Sequence, residues 1–330
     1  MKTLLVISLA KRGGGAAFTS LISTQLSNLN PTYFIAGDSE ISGELNGTTK
    51  TLAVPHKVIT RSWFKFFFES LWIFAKSIKP NSVVLFVMPH PLDLFFYVIC
   101  KCRKATIVTI IHDATPHPGE HWPTAKALRL RSKLANHVIF LSKFVESQMK
   151  LPNSKLRTVC NFPLHQKKLE QPEKYILFTG RMKKYQGLNL ILDSWKLASS
   201  RLPDYRLLIA GELEASHLVD EKIEVISEWL TPTRMEGLIA RCSVLALPYI
   251  EASQSGIFVQ GASYGVPIVA TPVGGLPEQS IHYPGAILSQ SLDPINFADA
   301  IVKATSLVRG SVMLPSGPDI GEVLASNYFV

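Results

Sequence analysis

The sequence predicts an α/β protein built from two doubly wound domains, each a parallel sheet with helices on both faces. Three observations lead to this prediction. Near-continuous runs of Val, Ile and Leu recur along the chain, separated by segments of helical length, which is typical of parallel strands covered on both sides. The runs form two series, and a polar segment with two prolines separates them. A length of 330 residues suits two domains of ordinary size.

The first series predicts four strands, in the runs "TLLVISLA", "SVVLFVM", "ATIVTII" and "HVIFLS". The opening "MKTLLVISLA" also has the features of a short signal peptide, namely one lysine, an apolar run and a small residue. We favour a buried strand, because the glycine-rich "KRGGG" follows directly and a strand running into a tight turn explains both pieces.

The second series predicts four more strands, in "YILFTG", "YRLLIAG", "SVLALPY" and "PIVATP". Between the two series lies "FPLHQKKLEQPEK", residues 162–174, whose polarity and prolines are typical of a linker. We therefore predict one domain over 1–165 and another over 166–330. After about residue 308 the pattern fades, and we predict a loop and one short helix.

The composition is apolar and basic. Hydrophobic residues make up 47% of the chain and charged residues 18%, and Lys plus Arg exceed Asp plus Glu by 34 to 25. A surface of net charge +9 suits anionic lipid, nucleic acid or phosphorylated ligands, and charge alone does not choose among them. The four cysteines lack metal-ligand spacing and indicate the reduced thiols of a cytoplasmic protein. No apolar run reaches the roughly 20 residues of a membrane-spanning helix.

Residues 248–278, "PYIEASQSGIFVQGASYGVPIVATPVGGLPE", contain unusually many small side chains. We predict a helix of about nine residues that begins at Ser255 and Gly256 and ends at Gly265. The first amides of a helix have no intrahelical partner and attract anions. Gly274 and Gly275 add a second turn without side chains, so the two loops suit a diphosphate with a sugar attached. Tight helix–sheet packing beside an ordinary turn explains the same pattern equally well.

This stretch resembles the donor-binding region of retaining glycosyltransferases with the GT-B fold, specifically glycosyltransferase family 4. The resemblance implies two Rossmann-like domains facing a central cleft. The segment "GVPIVATPVGGLPE" is in step with the family pattern, and "PYIEASQSG" is similar to a known variant of its upstream half. Gln260 stands where the family has the Glu that holds the nucleotide ribose. The other family Glu aligns with Ala252, so Glu251 takes its role near the reacting sugar only if the loop shifts by one residue.

A second segment, "ILFTGRMKKYQGLNLILDSW", resembles the opening of the family's C-terminal domain. In the family an Arg and a Lys hold the donor diphosphate and neutralise the charge that builds up as the glycosidic bond breaks. Arg181 stands at the Arg position. Gln186 stands at the Lys position, so we expect Lys184 or Lys183 to reach the phosphates. The plainer interpretation is that these are solvated loop cations.

The N-terminal half offers "TIVTIIHDATPHPGEHW", a strand that ends at His112 and Asp113. The resemblance places this pair near the reacting sugar and the acceptor, with His117 on the acceptor side. The loop "KRGGG" is similar to the family's first glycine loop and assigns Gly13, Gly14 and Gly15 to the acceptor side. Ordinary polar loop residues are the competing interpretation. No dinucleotide fingerprint follows any strand, which disfavours a nicotinamide dehydrogenase.

No metal or cofactor is predicted beyond the nucleotide-sugar substrate, which the family carries as a UDP or GDP derivative. Metal-dependent glycosyltransferases usually hold the diphosphate through a D-x-D motif, and none follows a predicted strand. Zinc is disfavoured as well, because His112 and His117 lack a third ligand nearby.

The segment "RSWFKFFFESLWIFAKSIK", residues 61–79, predicts a helix rich in Phe and Trp with lysines on its narrower side. Such a helix either packs between the sheet and its neighbours or lies in a bilayer interface. We expect peripheral membrane contact through 61–79, and we expect the apolar run "LDLFFYVICKCRK" to extend the same face.

The predicted function is transfer of a sugar, with retention, from a nucleotide-sugar to a glycan or lipid-linked glycan, without a nucleic-acid partner. Two alternatives stay open. Gln186 and Gln260 favour a GT-B scaffold that binds a glycan or partner protein without turnover. A sugar-nucleotide epimerase of the same fold would need acid and base carboxylates in the cleft.

Overall fold

The structure, a computed structural model, describes residues 2–41, 45–52, 61–116, 123–212, 221–310 and 318–329. The chain divides into two compact units, one formed by Met1–Pro163 with Ser316–Val330 and the other by Leu164–Pro315. The division falls inside the predicted linker, 162–174. Within the described ranges no helix is both long and apolar enough to cross a bilayer.

The first unit is a sheet of seven parallel strands in the order β3-β2-β1-β4-β5-β6-β7. Helices connect the strands, as the sequence predicts for a doubly wound domain. The elements in chain order are β1 (Leu4–Ser8), α1 (Gly14–Leu26), β2 (Thr32–Ala36), β3 (Thr48–Leu52), α2 (Arg61–Ser77), β4 (Val83–Phe86), α3 (Asp93–Cys102), β5 (Thr106–Ile111), α4 (Ala125–Leu134), β6 (His137–Phe140), α5 (Lys143–Gln148) and β7 (Leu156–Val159).

Helices cover both faces of this sheet, and each face has its own apolar core. On one face Phe18 and Ile22 of α1 pack with Leu4 and Val6 of β1. On the other, Phe74 of α2 packs with side chains of α3 and the sheet. Strands β1, β4 and β6 are buried along their whole length, which explains why their sequences are continuous apolar runs. The prediction of a buried first strand is confirmed.

The second unit is a sheet of six parallel strands in the order β10-β9-β8-β11-β12-β13. Its elements are β8 (Glu173–Thr179), α6 (Leu188–Ala198), β9 (Arg206–Ala210), β10 (Ile223–Ile226), α7 (Pro232–Arg241), β11 (Cys242–Leu247), α8 (Gly256–Ser263), β12 (Ile268–Ala270), α9 (Leu276–Ile281), β13 (Ala286–Leu288) and α10 (Pro294–Ala304). The predicted class, two doubly wound α/β domains, is confirmed.

In each sheet the strand order reverses at one place. The reversal lies between β1 and β4 in the first unit and between β8 and β11 in the second. Connections on either side of a reversal run to opposite faces, which leaves a crevice at the carboxyl ends of the two strands. Ligands of open α/β sheets bind in that crevice. The loops after β8 and β11 are therefore the first place to look for a site in the second unit.

The last helix, α11 (Ile320–Tyr328), packs on the first unit, whereas the predicted boundary assigned it to the second. Ile320, Val323 and Leu324 join the core that contains α1. Gly321 lets the two helices approach closely, since a Cβ there would lie 2.1 Å from the Gln25 carbonyl oxygen. The predicted short helix is present, but its packing partner follows from tertiary contacts that the local pattern does not encode.

Candidate functional site

The loop after β8 approaches the loop after β11 through glycine. Gly187 has a φ of 77°, and a Cβ on it would lie 1.8 Å from the Pro248 carbonyl oxygen. Gly180 has a φ of 144°, and its Cβ would lie 2.6 Å from the Gln186 side-chain nitrogen. A larger residue at Gly187 would push the two loops apart, whereas one at Gly180 would displace Gln186 within the loop after β8. Gly187 therefore allows both loops to come together at the reversal of the sheet.

Arg181 is the cation nearest the end of β8. Its side chain is exposed, and its Nη2 donates a hydrogen bond to the Tyr185 hydroxyl at 2.9 Å. Tyr185 is buried, and its carbonyl accepts the Ile250 amide of the next loop at 2.7 Å. Arg181 is therefore braced by a residue that joins the two loops, while its guanidinium still reaches solvent.

Gln186, at the position where the family has a lysine, is turned into the protein. It is 6% exposed, and its Oε1 accepts the Lys183 amide at 3.0 Å. It also forms a hydrogen bond with the buried Tyr249 hydroxyl, whose pKa is raised by burial, so the phenol is protonated near neutral pH. This side chain shapes the loop and supplies no charge. Lys183 and Lys184 are exposed beside it.

Helix α8 begins as predicted, with Ser255 as its N-cap. The Ser255 hydroxyl is buried and accepts the Phe258 amide at 3.1 Å. Gln279 holds the Ser255 backbone from the other side, accepting its amide at 2.9 Å and donating to its carbonyl at 3.2 Å. The Ser255 hydroxyl therefore caps α8, and its contact with the donor stays a prediction. Gly256, the first helical residue, is exposed.

Gln260 lies one turn into α8 and is partly exposed. Its Oε1 is buried and has no hydrogen-bond partner in the part of the chain that the structure describes. A buried amide oxygen without a donor costs roughly 1–3 kcal/mol, so this position is suited to a ligand hydroxyl. Gly261, the next residue, has a packing role, since its Cβ would lie 2.5 Å from a Leu245 methyl group.

Gly274 and Gly275 follow β12 and seat their loop against the loop after β11. Gly274 has a φ of 57°, and its Cβ would lie 1.5 Å from the Ala252 carbonyl oxygen. The Gly275 amide donates to the same oxygen at 3.1 Å. Close approach of two backbones explains both glycines. Ala252 is buried, whereas Glu251, beside it, is exposed.

In the first unit, His112 follows β5 close to the reversal of the sheet. It forms a hydrogen bond with the Val87 backbone and lies edge-on to Phe18, with ring centroids 4.5 Å apart. Burial lowers the pKa of His112 to about 4, although the charge of Asp113 opposes this shift. The imidazole is therefore neutral near pH 7 and can exchange hydrogen bonds with a hydroxyl group.

The glycine loop of the first unit forms the start of α1. Gly13 is the N-cap, with a φ of 69°, and its amide donates to Glu40 Oε2 at 3.3 Å. A Cβ on Gly15 would lie about 3.1 Å from the Met88 side chain, while nothing lies within 4 Å of one on Gly14. The structure thus brings Gly13–Gly15 and His112 to the carboxyl edge of one sheet. The predicted acceptor-side His117 lies outside the described residues.

No group of three or more His, Cys, Asp or Glu side chains suited to a metal ion occurs in the described ranges. Metal independence stays a prediction.

Sequence reasoning missed four side chains that hold the second-unit site together: Tyr185, Tyr249, Thr271 and Gln279. Thr271 after β12 donates to the Tyr249 carbonyl at 2.5 Å, which ties a third loop to the other two. For the two tyrosines, the available signal was a position near a glycine or a proline in the loop that follows a strand, in "KKYQG" and "LPY". Their role depends on burial, which the sequence alone does not give.

Comparison with known proteins identifies similarity centred on the second unit. Residues 173–306 match the family described as "Glycosyl transferases group 1". A D-inositol 3-phosphate glycosyltransferase of Segniliparus rotundus is 25% identical over 138 residues, 38% of this chain and 31% of that protein. An uncharacterized 41.2 kDa protein in the cps region of Klebsiella pneumoniae is 29% identical over 175 residues, 51% of this chain and 44% of that protein. The matched region of the chain thus spans 31% and 44% of the length of these two relatives.

Among solved structures, Anabaena Alr3699/HepE in complex with UDP-glucose superposes with a TM-score of 0.71 at 12% identity, over 100% of this chain and 96% of that one. At this identity the likeness shows the fold, which is the GT-B fold of two Rossmann-like domains.

Proposed function

We propose that this protein is a retaining glycosyltransferase. It transfers a sugar from a UDP- or GDP-linked donor to a hydroxyl of a glycan or lipid-linked glycan, and it does so without a metal ion. The second unit would bind the donor and the first unit the acceptor.

The supporting observation is the convergence of three loops at the reversal of the second sheet. Arg181 follows β8, the exposed Gly256 opens α8 after β11, and Gly274 follows β12. Direct contacts join these loops, through Tyr185 to Ile250, through Gly275 to Ala252, and through Thr271 to Tyr249. A crevice at this place is where open α/β sheets bind nucleotides.

The positive charge of the site suits a sugar diphosphate. The Arg181 guanidinium, the exposed ammonium groups of Lys183 and Lys184, and the amides at the start of α8 are all positive. Gln260 supplies a buried oxygen with no partner of its own in the described chain, at the position that resembles the family's ribose-binding residue. Positive groups fixed beside a diphosphate stabilise the charge that it gains as it leaves.

The reaction would proceed as follows. The bond between the anomeric carbon and the diphosphate oxygen breaks, and the acceptor oxygen bonds to the same face of that carbon. The acceptor proton passes to the departing diphosphate, so no protein base is required. Neutral His112 would hold a hydroxyl of the transferred sugar, and Asp113 would orient the imidazole. Glu251 would approach the sugar only after a shift of its loop, since its side chain now points to solvent.

The relatives narrow the choice of substrate. A solved protein of the same fold is described in complex with UDP-glucose, which supports a UDP-linked donor. A relative encoded in a cps region supports a role in polysaccharide biosynthesis.

The test is nucleotide binding followed by turnover. Thermal unfolding is measured with UDP, GDP and several nucleotide-sugars, since a ligand bound only by the native state raises the melting temperature. Arg181→Ala should abolish the shift, Arg181→Lys should retain part of it, and Lys303→Ala, an exposed lysine on α10, should leave it unchanged. Release of nucleoside diphosphate with a glycan acceptor should persist in EDTA.

Two results would contradict the proposal. If no nucleotide shifts the melting temperature of the wild-type chain, the donor site does not exist. If nucleotide binds but neither transfer nor hydrolysis follows with any acceptor tried, the chain is a non-catalytic binding scaffold.

A further inference from the structure

Helices α2 and α3 lie side by side on the first unit and expose large apolar side chains to solvent. Phe95 of α3 packs on Phe67 of α2, with ring centroids 5.0 Å apart, and Phe67 packs on Phe68. The two helices therefore form one continuous surface, which we call the α2–α3 face. Its exposed members are Phe68 (63% exposed), Trp72 (59%), Leu94 (46%), Phe95 (50%) and Val98 (60%).

This exposure is more than packing requires. The same helices already bury Phe67 and Phe74 of α2 and Phe96, Tyr97 and Cys100 of α3 beneath them. A contiguous apolar surface that contains two phenyl rings and an indole marks a binding surface on a protein domain. The alternative interpretation, in which 61–79 only packs between the sheet and its neighbours, does not account for it.

Positive charge adjoins the α2–α3 face at one end. Both helices end at the amino edge of the parallel sheet, and their C-termini are followed by exposed basic residues, Lys76 and Lys79 on one and Lys101, Arg103 and Lys104 on the other. The Lys76 ammonium lies 3.5 Å from the centroid of the Trp72 ring. Cations and an indole at one level are typical of protein surfaces that meet lipid headgroups.

A cavity of about 440 Å³ opens beside Trp72, between the end of α2 and the edge of the sheet. Lys50, Lys76 and Lys79 line it together with Ser77 and Thr32, and its described lining contains no carboxylate. Lys50 donates to the Ser77 hydroxyl at 2.9 Å. Three lysines line this cavity, and its described lining holds no opposing charge, so an anion that entered it would be attracted to them.

We infer that the α2–α3 face docks on an anionic phospholipid bilayer. Phe68, Trp72, Phe95 and Val98 would enter the headgroup and acyl boundary, and a lipid phosphate would enter the cavity lined by Lys50, Lys76 and Lys79. The apolar surface supplies binding to any bilayer, and the lysines supply the preference for anionic lipid. The inference depends only on the first unit and does not rest on the proposed glycosyl transfer.

The test is co-sedimentation of the full chain with vesicles of phosphatidylcholine alone or mixed with phosphatidylglycerol. The wild type should sediment with the mixed vesicles. Trp72→Ser with Phe95→Ser should lose binding to both kinds. Lys76→Gln with Lys79→Gln should bind mixed vesicles about 25-fold more weakly, at about fivefold for each lysine near the surface.

Matched controls use exposed residues elsewhere. Ile281→Ser with Ile295→Ser removes two exposed apolar side chains of the second unit, and Lys126→Gln with Lys303→Gln removes the same charge as the lysine pair. Both controls should sediment like the wild type. All altered side chains are exposed, and an unchanged melting temperature checks that each variant is folded.

Four results would overturn the inference. In the first two, the wild type fails to bind mixed vesicles at any lipid concentration, or the Trp72 and Phe95 variant binds as well as the wild type. In the third, light scattering shows a dimer that the same variant dissociates, which would assign the face to a second copy. Inorganic phosphate that raises the melting temperature through the three lysines, without vesicle binding, would identify a soluble anion as the ligand.

Discussion

At the scale of single residues, Gln186 and Gln260 depart from the resembled family pattern in different ways. Gln186 is buried and holds the Lys183 amide and the Tyr249 hydroxyl, so an uncharged side chain there is part of the loop's structure. Gln260 keeps its amide oxygen without a partner in the described chain. Under the proposed function, the first change would leave the positive charge to the exposed Lys183 and Lys184, and the second would weaken a ribose contact without removing it.

We predict that Gln260 contacts the nucleotide ribose. Gln260→Glu should tighten UDP binding about tenfold, because a carboxylate accepts a hydroxyl hydrogen bond more strongly than an amide does. Gln260→Leu should weaken UDP binding by a similar factor. Isothermal titration calorimetry measures both, and pyrophosphate, which lacks a ribose, should bind all three proteins equally. Equal effects on pyrophosphate would show that Gln260 acts on the phosphates or on folding instead.

At the scale of elements, the central strands were predictable apart from β2, and the edge strands were not. The eight predicted strands correspond to β1, β4, β5, β6, β8, β9, β11 and β12, because buried central strands are continuous apolar runs. Strands β3 and β7 pair on one side only and are largely exposed or half-exposed. Their sequences, "TTKTL" and "LRTV", lack that apolar signal.

The glycines of the candidate site have two explanations that the sequence does not separate. Anion binding and tight packing predict the same small residues at Gly274 and Gly275, and close contact with the Ala252 and Ser253 carbonyl groups accounts for both without a ligand. The Ser255 hydroxyl likewise caps α8. Small residues that bring two backbones together and small residues that admit a phosphate have the same sequence pattern, and only the structure separates them.

We predict that Gly274→Ala unfolds or displaces the loop after β12. Its φ of 57° is unfavourable for alanine, and the added Cβ would overlap the Ala252 carbonyl oxygen. The free energy of unfolding should fall by about 3 kcal/mol or more, as measured by urea denaturation. Gly237→Ala is the matched control, since it lies within α7 with nothing within 4 Å of its Cβ. That change should stabilise by about 0.5–1 kcal/mol, and equal effects of the two changes would contradict the packing argument.

At the scale of the whole molecule, His137 joins α11 to the sheet of the first unit. It is fully buried in β6, with Nδ1 3.0 Å from the Tyr328 hydroxyl of α11 and Nε2 2.9 Å from the Thr158 hydroxyl of β7. Burial lowers the pKa of His137 to about 4. One neutral imidazole therefore connects β6 and its neighbour β7 to α11, whose Tyr328 lies 191 residues further along the chain.

We predict that His137 makes stability depend on pH. Between pH 6.5 and pH 4 the unfolded chain binds a proton at this histidine that the folded chain does not, so the free energy of unfolding falls as the pH is lowered. The full effect of this group is about 3 kcal/mol. His137→Gln should remove that part of the slope in urea denaturation series at several pH values. His282→Gln, on a partly exposed histidine, is the control, and an unchanged slope in His137→Gln would contradict the assignment.

The position of α11 at the end of the sequence also determines when the core of the first unit is completed during synthesis. A ribosome makes residues 1–163 first, then the entire second unit, and only afterwards α11, which fills the core beside α1. At 5–20 residues per second the interval is on the order of ten seconds. Throughout that time the core of the first unit lacks Ile320, Val323 and Leu324. The second unit is joined to the first at both of its ends, and it is synthesised while the first unit still lacks its last helix.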